Sequence, residues 1–203
     1  DTPLTNEILL RFKSTGGFND EIDITYSGIL CFIAAEKLNK DPTELILDVL
    51  NKADDSGIAY IENFLSKIDV DISDVKARLD YPSTDKNDLI HSTFDQLFFG
   101  PELYSKIFQK KSKFSEKGFI ENDNVIVNSE LIEALKKKFN DKIAIVTGRG
   151  FNAISSSLKE ILNQFNVENS VFLEDEPRDL AKPNPQSLIR AMKGLNSKNC
   201  LYV

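Results

Sequence analysis

The chain has 203 residues, of which 41% are hydrophobic and 28% are charged, a composition typical of a globular protein with a substantial core. Its formal net charge of −7 argues against a nucleic-acid partner or a membrane surface, and no apolar run approaches membrane-spanning length. No secretory signal is visible, so we expect a cytoplasmic protein. Cys31 and Cys200 both lie in apolar segments, which predicts buried free thiols. The single histidine, His91, excludes a histidine-rich metal site.

The first part of the chain is predicted to be helical. Asp41 followed by Pro42 predicts the start of a helix, with Asp41 as its N-cap and Pro42 in its first turn. The segment Gly16-Gly17-Phe18-Asn19-Asp20 consists mainly of turn residues, and residues 81–85 are expected to form a loop. Apolar residues recur at helical spacing in residues 5–13, 24–38, 58–68, 88–99 and 101–111, and residues 73–79 form a shorter candidate helix.

The pattern changes near Gly118, where helices begin to alternate with short apolar strands. The predicted strands are residues 143–146, 171–173 and 201–203, and the helices are residues 129–139, 152–165 and one beginning at Asn184-Pro185. This alternation predicts an α/β core with a doubly wound, Rossmann-like parallel sheet, residues 119–203, preceded by an all-α domain, residues 1–118. Three strands are few for a stable sheet, so we expect the core to be incomplete in these residues and the chain to be part of a longer protein.

The most informative stretch is the apolar run of residues 143–146, which ends at Thr147. In open α/β sheets ligands bind at the carboxyl ends of the strands, so the Thr147 hydroxyl and the amides that follow it are predicted to face a ligand. Gly148 and Gly150 would let the backbone approach that ligand closely. An ordinary turn between a strand and a helix explains this segment, taken alone, equally well.

Lys182 is the second residue of interest. It lies between a predicted strand and a predicted helix, in Ala181-Lys182-Pro183. One helix and one strand separate it from Thr147, which predicts that both residues lie at the same sheet edge. A hydroxyl, backbone amides and an ammonium group suit a phosphoryl group. Taken alone, Lys182 is more simply interpreted as a surface lysine.

These segments resemble motifs of the haloacid dehalogenase-like hydrolases. Residues 143–149 (IAIVTGR) resemble the second motif of that family and residues 182–185 (KPNP) resemble the third. Residues 199–203 resemble the strand that leads into the fourth motif. Residues 16–26 and 94–104 are similar to the helical cap of a phosphatase-like subfamily.

The resemblance implies roles for particular residues. Thr147 would hydrogen-bond the transferring phosphoryl oxygen with help from the Gly148 amide, and Lys182 would neutralise the phosphoryl group and the attacking carboxylate. Arg149 would contact the substrate or only cap the turn. Asn19, in the glycine-rich cap loop, would select the substrate or only belong to a turn between helices.

The implied activity is Mg²⁺-dependent hydrolysis of a small phosphorylated metabolite, a phosphomonoester, through an aspartyl-phosphate. The family's Asp-x-Asp nucleophile motif does not match Asp1-Thr2-Pro3, and no acidic fourth motif follows Val203. The nucleophile and the metal ligands are therefore not among these residues. Glu174 and Asp175 are better explained as a solvated acidic loop than as metal ligands, and His91 as a structural or surface residue.

Other functions stay open. The chain can be a non-catalytic phosphate-binding or regulatory scaffold of the same fold, a receiver-like signalling domain, a dehalogenase or a phosphoryl mutase. Lys182 lies well beyond the end of the predicted strand 171–173, and this position argues against a receiver-like signalling domain. The identity of the substrate and the oligomeric state are not indicated by the sequence.

Overall fold

The structure, a computed structural model, describes residues 4–82 and 88–203. The residues Asp1-Thr2-Pro3 and the last part of the predicted 81–85 loop lie outside the described residues. The chain divides into two compact units, Asp1–Asp95 (unit 1) and Gln96–Val203 (unit 2). The division predicted at residue 118 stays a prediction.

Unit 1 is built from helices whose first turns are capped by side chains. Thr5, Asp20 and Asp41 each accept a hydrogen bond from a backbone N–H in the first turn that follows, as residues of these types do at N-caps. The cap at Asp41 was predicted and gives the start of α3 correctly, whereas α2 begins three residues before its predicted start at residue 24. The helices are α1 (Asn6–Ser14), α2 (Glu21–Leu38), α3 (Pro42–Leu50), α4 (Ile58–Lys67), α5 (Ser73–Leu79) and the beginning of α6 (Leu89–Phe108).

The core of unit 1 forms around α2, which packs against α3 and α4. Tyr26 and Cys31 on α2 are fully buried, and Phe12 and Phe18 meet edge to face with ring centroids 4.9 Å apart. The loop before α2 touches the loop before α4. Gly57 has φ 62°, and a Cβ on it would lie 2.5 Å from the carbonyl oxygen of Gly17, so this crossing requires glycine.

Helix α6 is broken at Gly100, as the sequence predicts from Gly100-Pro101. Gly100 has φ 71° and ψ 170°, which no α-helical residue adopts. On either side of the break, Phe99 and Tyr104 pack with Ile120 and Ala153 in a small core of unit 2.

Unit 2 continues with α7 (Ser129–Phe139), β1 (Val146–Thr147), α8 (Phe151–Leu158), β2 (Val171–Phe172) and α9 (Gln186–Gly194). The two strands pair in parallel, with Val146 opposite Val171 and Thr147 opposite Phe172. Short 3₁₀ helices connect these elements at Phe119–Asn122, Lys159–Gln164, Val167–Asn169, Leu173–Asp175 and Arg178–Leu180.

The predicted doubly wound, Rossmann-like α/β core is wrong for this structure. The described residues are mostly helical and contain one parallel sheet of two short strands. The residues before Val146 make only isolated bonds toward β2, such as the 2.8 Å bond from the Asn166 N–H to the Ile143 carbonyl. Residues 201–203 are not a strand, and Leu201 is 70% exposed. A β-branched run predicts extended backbone, but a sheet also needs strand partners.

The same finding also corrects the prediction that residues 119–203 form the core of a Rossmann-like hydrolase, because a pair of two-residue strands is not such a core.

The two cysteines differ in their exposure to solvent. Cys31 is buried as predicted, whereas Cys200 is exposed, contrary to the prediction. Within residues 4–82 and 88–203, the helices are too short or too polar to cross a membrane.

Candidate functional site

The turn that follows β1 offers a hydroxyl and an open stretch of backbone. Thr147 ends β1, and its Oγ1 accepts a hydrogen bond from the Arg149 N–H at 3.2 Å. Because Oγ1 serves as the acceptor there, the hydroxyl hydrogen is available to a ligand. Gly148 is exposed, and a Cβ built on it would meet no atom within 4 Å. A ligand can therefore reach the backbone at Gly148 without obstruction.

The amides that begin α8 are occupied by carboxylates of the chain itself. The Gly150 N–H donates to Oε2 of Glu174 at 2.7 Å, and the Phe151 N–H donates to Oδ2 of Asp175 at 2.6 Å. Both acids belong to the 3₁₀ helix Leu173–Asp175, which follows β2. Since the first N–H groups of a helix lack intrahelical partners and favour negative charge, these carboxylates satisfy them. Glu174 and Asp175 thus cap α8, and they lie in the 3₁₀ helix Leu173–Asp175, where Asp175 is exposed and Glu174 is half-buried.

Arg149 belongs to a polar cluster within unit 2. Its Nη2 donates to Oδ1 of Asp123 at 3.0 Å, its Nη1 donates to Oδ2, and its guanidinium lies 5.5 Å from the centroid of the Phe98 ring. The Ser157 hydroxyl also donates to Asp123, at 2.6 Å. The hydrogen bonds from Arg149 and Ser157 hold the pKa of Asp123 below its ordinary value. Arg149 is therefore held by Asp123, in agreement with the interpretation that it stabilises the turn.

Lys182 is not joined to the Thr147 turn. Its Nζ donates to the hydroxyl of Tyr202 at 3.0 Å and lies 5.8 Å from the centroid of the same ring. Among the residues that the structure describes, no hydrogen bond connects Lys182 to Thr147 or Gly148. Two 3₁₀ helices, Leu173–Asp175 and Arg178–Leu180, lie between the end of β2 and Lys182.

Asn19 lies in unit 1, in the loop before α2. It is exposed, and its Nδ2 donates to the carbonyl oxygen of Gly16 at 3.5 Å. The next residue, Asp20, caps α2 by accepting the Ile22 N–H at 2.8 Å. Asn19 therefore closes a turn, and its predicted contact with a substrate stays a prediction.

The residues described here do not fit the predicted Mg²⁺. Across residues 4–82 and 88–203 no group of three or more histidine, cysteine, aspartate or glutamate side chains is arranged to hold a metal ion. The acids nearest to the Thr147 turn are already engaged, since Asp123 binds Arg149 while Glu174 and Asp175 bind the amides of α8. No step that uses a metal is derived from this arrangement.

A cavity of about 470 Å³ lies beside α8, at a place that the sequence does not indicate. Its lining combines apolar and polar side chains. Thr147, Gly148 and Lys182 are not part of that lining, which consists of Phe151, Ser155, Lys159, Glu160, Leu162, Asn163 and Val167. The cavity is therefore separate from the turn that the sequence predicts to bind an anion.

Unit 1 contains a buried aspartate–histidine pair. The carboxylate of Asp88 lies 2.6 Å from Nδ1 of His91 and accepts the His91 backbone N–H at 2.8 Å. Both residues are less than a tenth exposed. The His91 ring contacts the ring of Tyr81, with centroids 5.3 Å apart. A structural role for His91 agrees with this burial.

Sequence reasoning did not find Asp123 or Tyr202, the partners of Arg149 and Lys182. Both are distant in sequence from the residues that they contact. Asp123 belongs to no motif, and Tyr202 lies in the 199–203 segment, which was predicted to be a strand and not to hold Lys182. The carboxylates that cap α8 are weakly indicated by the sequence, because Glu174 and Asp175 come directly after the predicted strand Val171-Phe172-Leu173.

No protein-family model, no curated protein and no solved structure matches this chain. The resemblance to haloacid dehalogenase-like hydrolases therefore stays a prediction from the motifs alone. What the protein does has to be argued from its own residues.

Proposed function

We propose that unit 2 binds small phosphorylated metabolites at the Thr147–Gly148 turn and acts as a phosphate-binding or regulatory protein. The observation that carries the proposal is the open turn itself. Thr147, the last residue of β1, offers a hydroxyl whose hydrogen is available to a ligand. Gly148 follows it and has free space around its Cα. Hydroxyl and backbone N–H donors of this kind are what a phosphoryl oxygen accepts from.

The neighbouring groups support binding in preference to turnover. Asp123 neutralises most of the charge of Arg149, and the carboxylates of Glu174 and Asp175 are turned to the amides of α8. None of these three acids is held ready to attack a phosphorus atom or to take a proton. Among residues 4–82 and 88–203, the exposed Lys182 hydrogen-bonds to Tyr202 alone, and we propose that its ammonium group adds a cation for the bound anion. A cytoplasmic location is part of this proposal.

The test is an NMR titration of the protein with phenyl phosphate, followed at the Gly148 amide. Thr147→Val removes the hydroxyl and keeps the β-branched shape. We expect it to weaken binding about tenfold, since a hydrogen bond to a charged group contributes about 1.5 kcal/mol or more. Lys182→Ala should also weaken binding. Lys193→Ala, a change at an exposed lysine on α9, should leave it unaltered.

A Gly148 amide that does not shift, or equal affinities for wild type and Thr147→Val, would refute the proposal. Phosphate release from phenyl phosphate in the presence of Mg²⁺ is measured on the same samples. Release that Lys182→Ala abolishes would replace the binding proposal by the phosphatase activity that the resemblance implies.

A further inference from the structure

The cavity beside α8 has an apolar part that can hold a hydrophobic group. Its volume of about 470 Å³ lies within the range of roughly 300–1,000 Å³ that is usual for small-molecule sites. Leu162 and Val167 line it, and Leu162 is buried. Phe151 also lines it and is 42% exposed, although its ring meets the Phe172 ring edge to face with centroids 5.4 Å apart. An aromatic ring that is anchored by a neighbour and still accessible can pack against a ligand.

Four polar side chains of the same cavity have no partner in the described part of unit 2. Ser155, Lys159, Glu160 and Asn163 line the cavity, and none of their side chains makes a hydrogen bond or an ion pair with another described residue. Lys159 and Glu160 are adjacent and opposite in charge, yet they do not pair with each other. Both charges are therefore available to a ligand.

The backbone at Lys159 is strained. Lys159 ends α8 with φ 50° and ψ −125°, a combination that residues with a side chain rarely adopt. Glycine would adopt it at lower cost, so the local backbone gives no reason for a lysine at this position. Strained residues of this kind are concentrated at binding sites, where the side chain has to be held in one place. The strain thus supports a role for the Lys159 side chain in the cavity.

The free charges and the apolar lining together define a class of ligand. A free α-amino acid carries an ammonium group and a carboxylate on one carbon atom. Glu160 can accept hydrogen bonds from that ammonium group and Lys159 can donate to that carboxylate, whereas a ligand with one charge would leave the other residue unpaired. We propose that the cavity binds a free amino acid with an aromatic side chain, whose ring packs against Phe151. The lining contains neither Thr147 nor Gly148, so this binding does not depend on the phosphate site.

The test is an NMR titration of the whole chain with phenylalanine, followed at the amides of Ser155 and Leu162. Two further probes each lack one charge, since phenethylamine has no carboxylate and 3-phenylpropionate has no ammonium group. We expect both to bind about tenfold more weakly than phenylalanine, because each loses a hydrogen bond between charged groups.

Two variants assign the charges to their partners. Lys159→Met removes the ammonium group and keeps the length of the side chain, so it should weaken binding of phenylalanine about tenfold without weakening that of phenethylamine. Glu160→Gln should weaken binding of phenylalanine without weakening that of 3-phenylpropionate. The matched control is Lys137→Met, at an exposed lysine of α7, which should bind phenylalanine like the wild type.

A third variant keeps the test decisive if Lys159→Met does not fold. Lys159→Gly removes the same charge and relieves the backbone, so it should unfold at a temperature no lower than that of the wild type and still bind phenylalanine weakly. Thr147→Val should bind phenylalanine like the wild type, which separates this site from the phosphate site.

Three outcomes overturn the proposal. In the first, phenylalanine does not shift the amides of Ser155 and Leu162. In the second, the three probes bind with equal affinity, which would mean that the cavity takes up apolar rings without reading their charges. In the third, Lys159→Gly and Glu160→Gln both bind phenylalanine as tightly as the wild type.

Discussion

Arg149 and Asp123 form a two-point ion pair within unit 2, in which Nη2 of the arginine donates to Oδ1 of the carboxylate at 3.0 Å. The aspartate side chain is 23% exposed and the arginine side chain 44% exposed. A pair with parallel donors and partial shielding is stronger than an ordinary surface ion pair.

We expect Asp123→Asn to lower the free energy of unfolding by about 1 kcal/mol at neutral pH. Arg149 lowers the pKa of Asp123, so the folded state binds the proton less tightly than the unfolded state. The stabilisation is therefore present above the ordinary pKa of 3.8 and is lost as the pH falls through the lowered value. Urea titrations of both proteins at several pH values measure this. A difference that persists unchanged into strong acid would contradict the assignment.

Substitutions at Gly148 and Gly150, which both follow Thr147, test whether the carboxylates of Glu174 and Asp175 stabilise the start of α8. A Cβ at Gly150 would lie 2.9 Å from Oε2 of Glu174 and 3.0 Å from Oδ1 of Asp175, whereas a Cβ at Gly148 meets nothing within 4 Å. Gly150 has an ordinary extended backbone, so Ala fails there only through these contacts. We expect Gly150→Ala to displace the carboxylates and cost about 1 kcal/mol, the usual cost of a lost cap.

Thermal unfolding of Gly150→Ala, Gly148→Ala and wild type measures this difference. Gly148→Ala should unfold at the temperature of the wild type or slightly above it, because alanine restricts the unfolded chain. Equal destabilisation by both changes would mean that the two carboxylates do not hold α8.

Asp88 stabilises the start of α6 in two ways. Its carboxylate accepts the His91 backbone N–H and lies 2.6 Å from the His91 ring nitrogen, in a site where Asp88 is 4% exposed. Asp88→Ala removes the cap and leaves a buried ring nitrogen without its partner, so we expect a loss of about 2–3 kcal/mol in urea titration. Asp88→Asn keeps an oxygen for the cap and should cost less. If the alanine variant is as stable as the asparagine variant, the side-chain oxygen that accepts the His91 backbone N–H contributes nothing.

The two cysteines should differ in reactivity. Burial raises the pKa of the Cys31 thiol to about 12, so almost none of it is thiolate at mildly alkaline pH. Cys200 is exposed. A disulfide reagent should therefore modify one thiol rapidly in the native protein and both in urea, and Cys200→Ser should remove the rapid reaction. Rapid modification of both native thiols would show that Cys31 is accessible.

Helices could be predicted from the sequence because their signals are local. The segment 73–79 coincides with α5 (Ser73–Leu79), and 129–139 coincides with α7 (Ser129–Phe139). In α7, for example, apolar residues recur at helical spacing, Asn128 caps the start, and Asn140 ends the helix with its backbone in the left-handed region. The break at Gly100-Pro101 was likewise visible.

The sheet could not be predicted because strand pairing depends on residues elsewhere in the chain. Residues 143–146 have the composition of a buried strand, yet β1 comprises only Val146 and Thr147, and the 201–203 run stays outside the sheet. The contacts of the candidate site residues could not be predicted for the same reason. The sequence picked out Thr147, Arg149 and Lys182 by type, but the contacts that hold Arg149 and Lys182 come from distant positions, and strand pairing or long-range contacts cannot be read from local patterns.

The contact between Asp88 and His91 gives the protein a native spectroscopic reporter. The chain has a single histidine, so the imidazole resonances of His91 can be read in a proton spectrum without any labelling or assignment. The ring lies against Tyr81 and against the carboxylate that caps α6. Its chemical shift therefore reports on the packing around the start of α6 in unit 1.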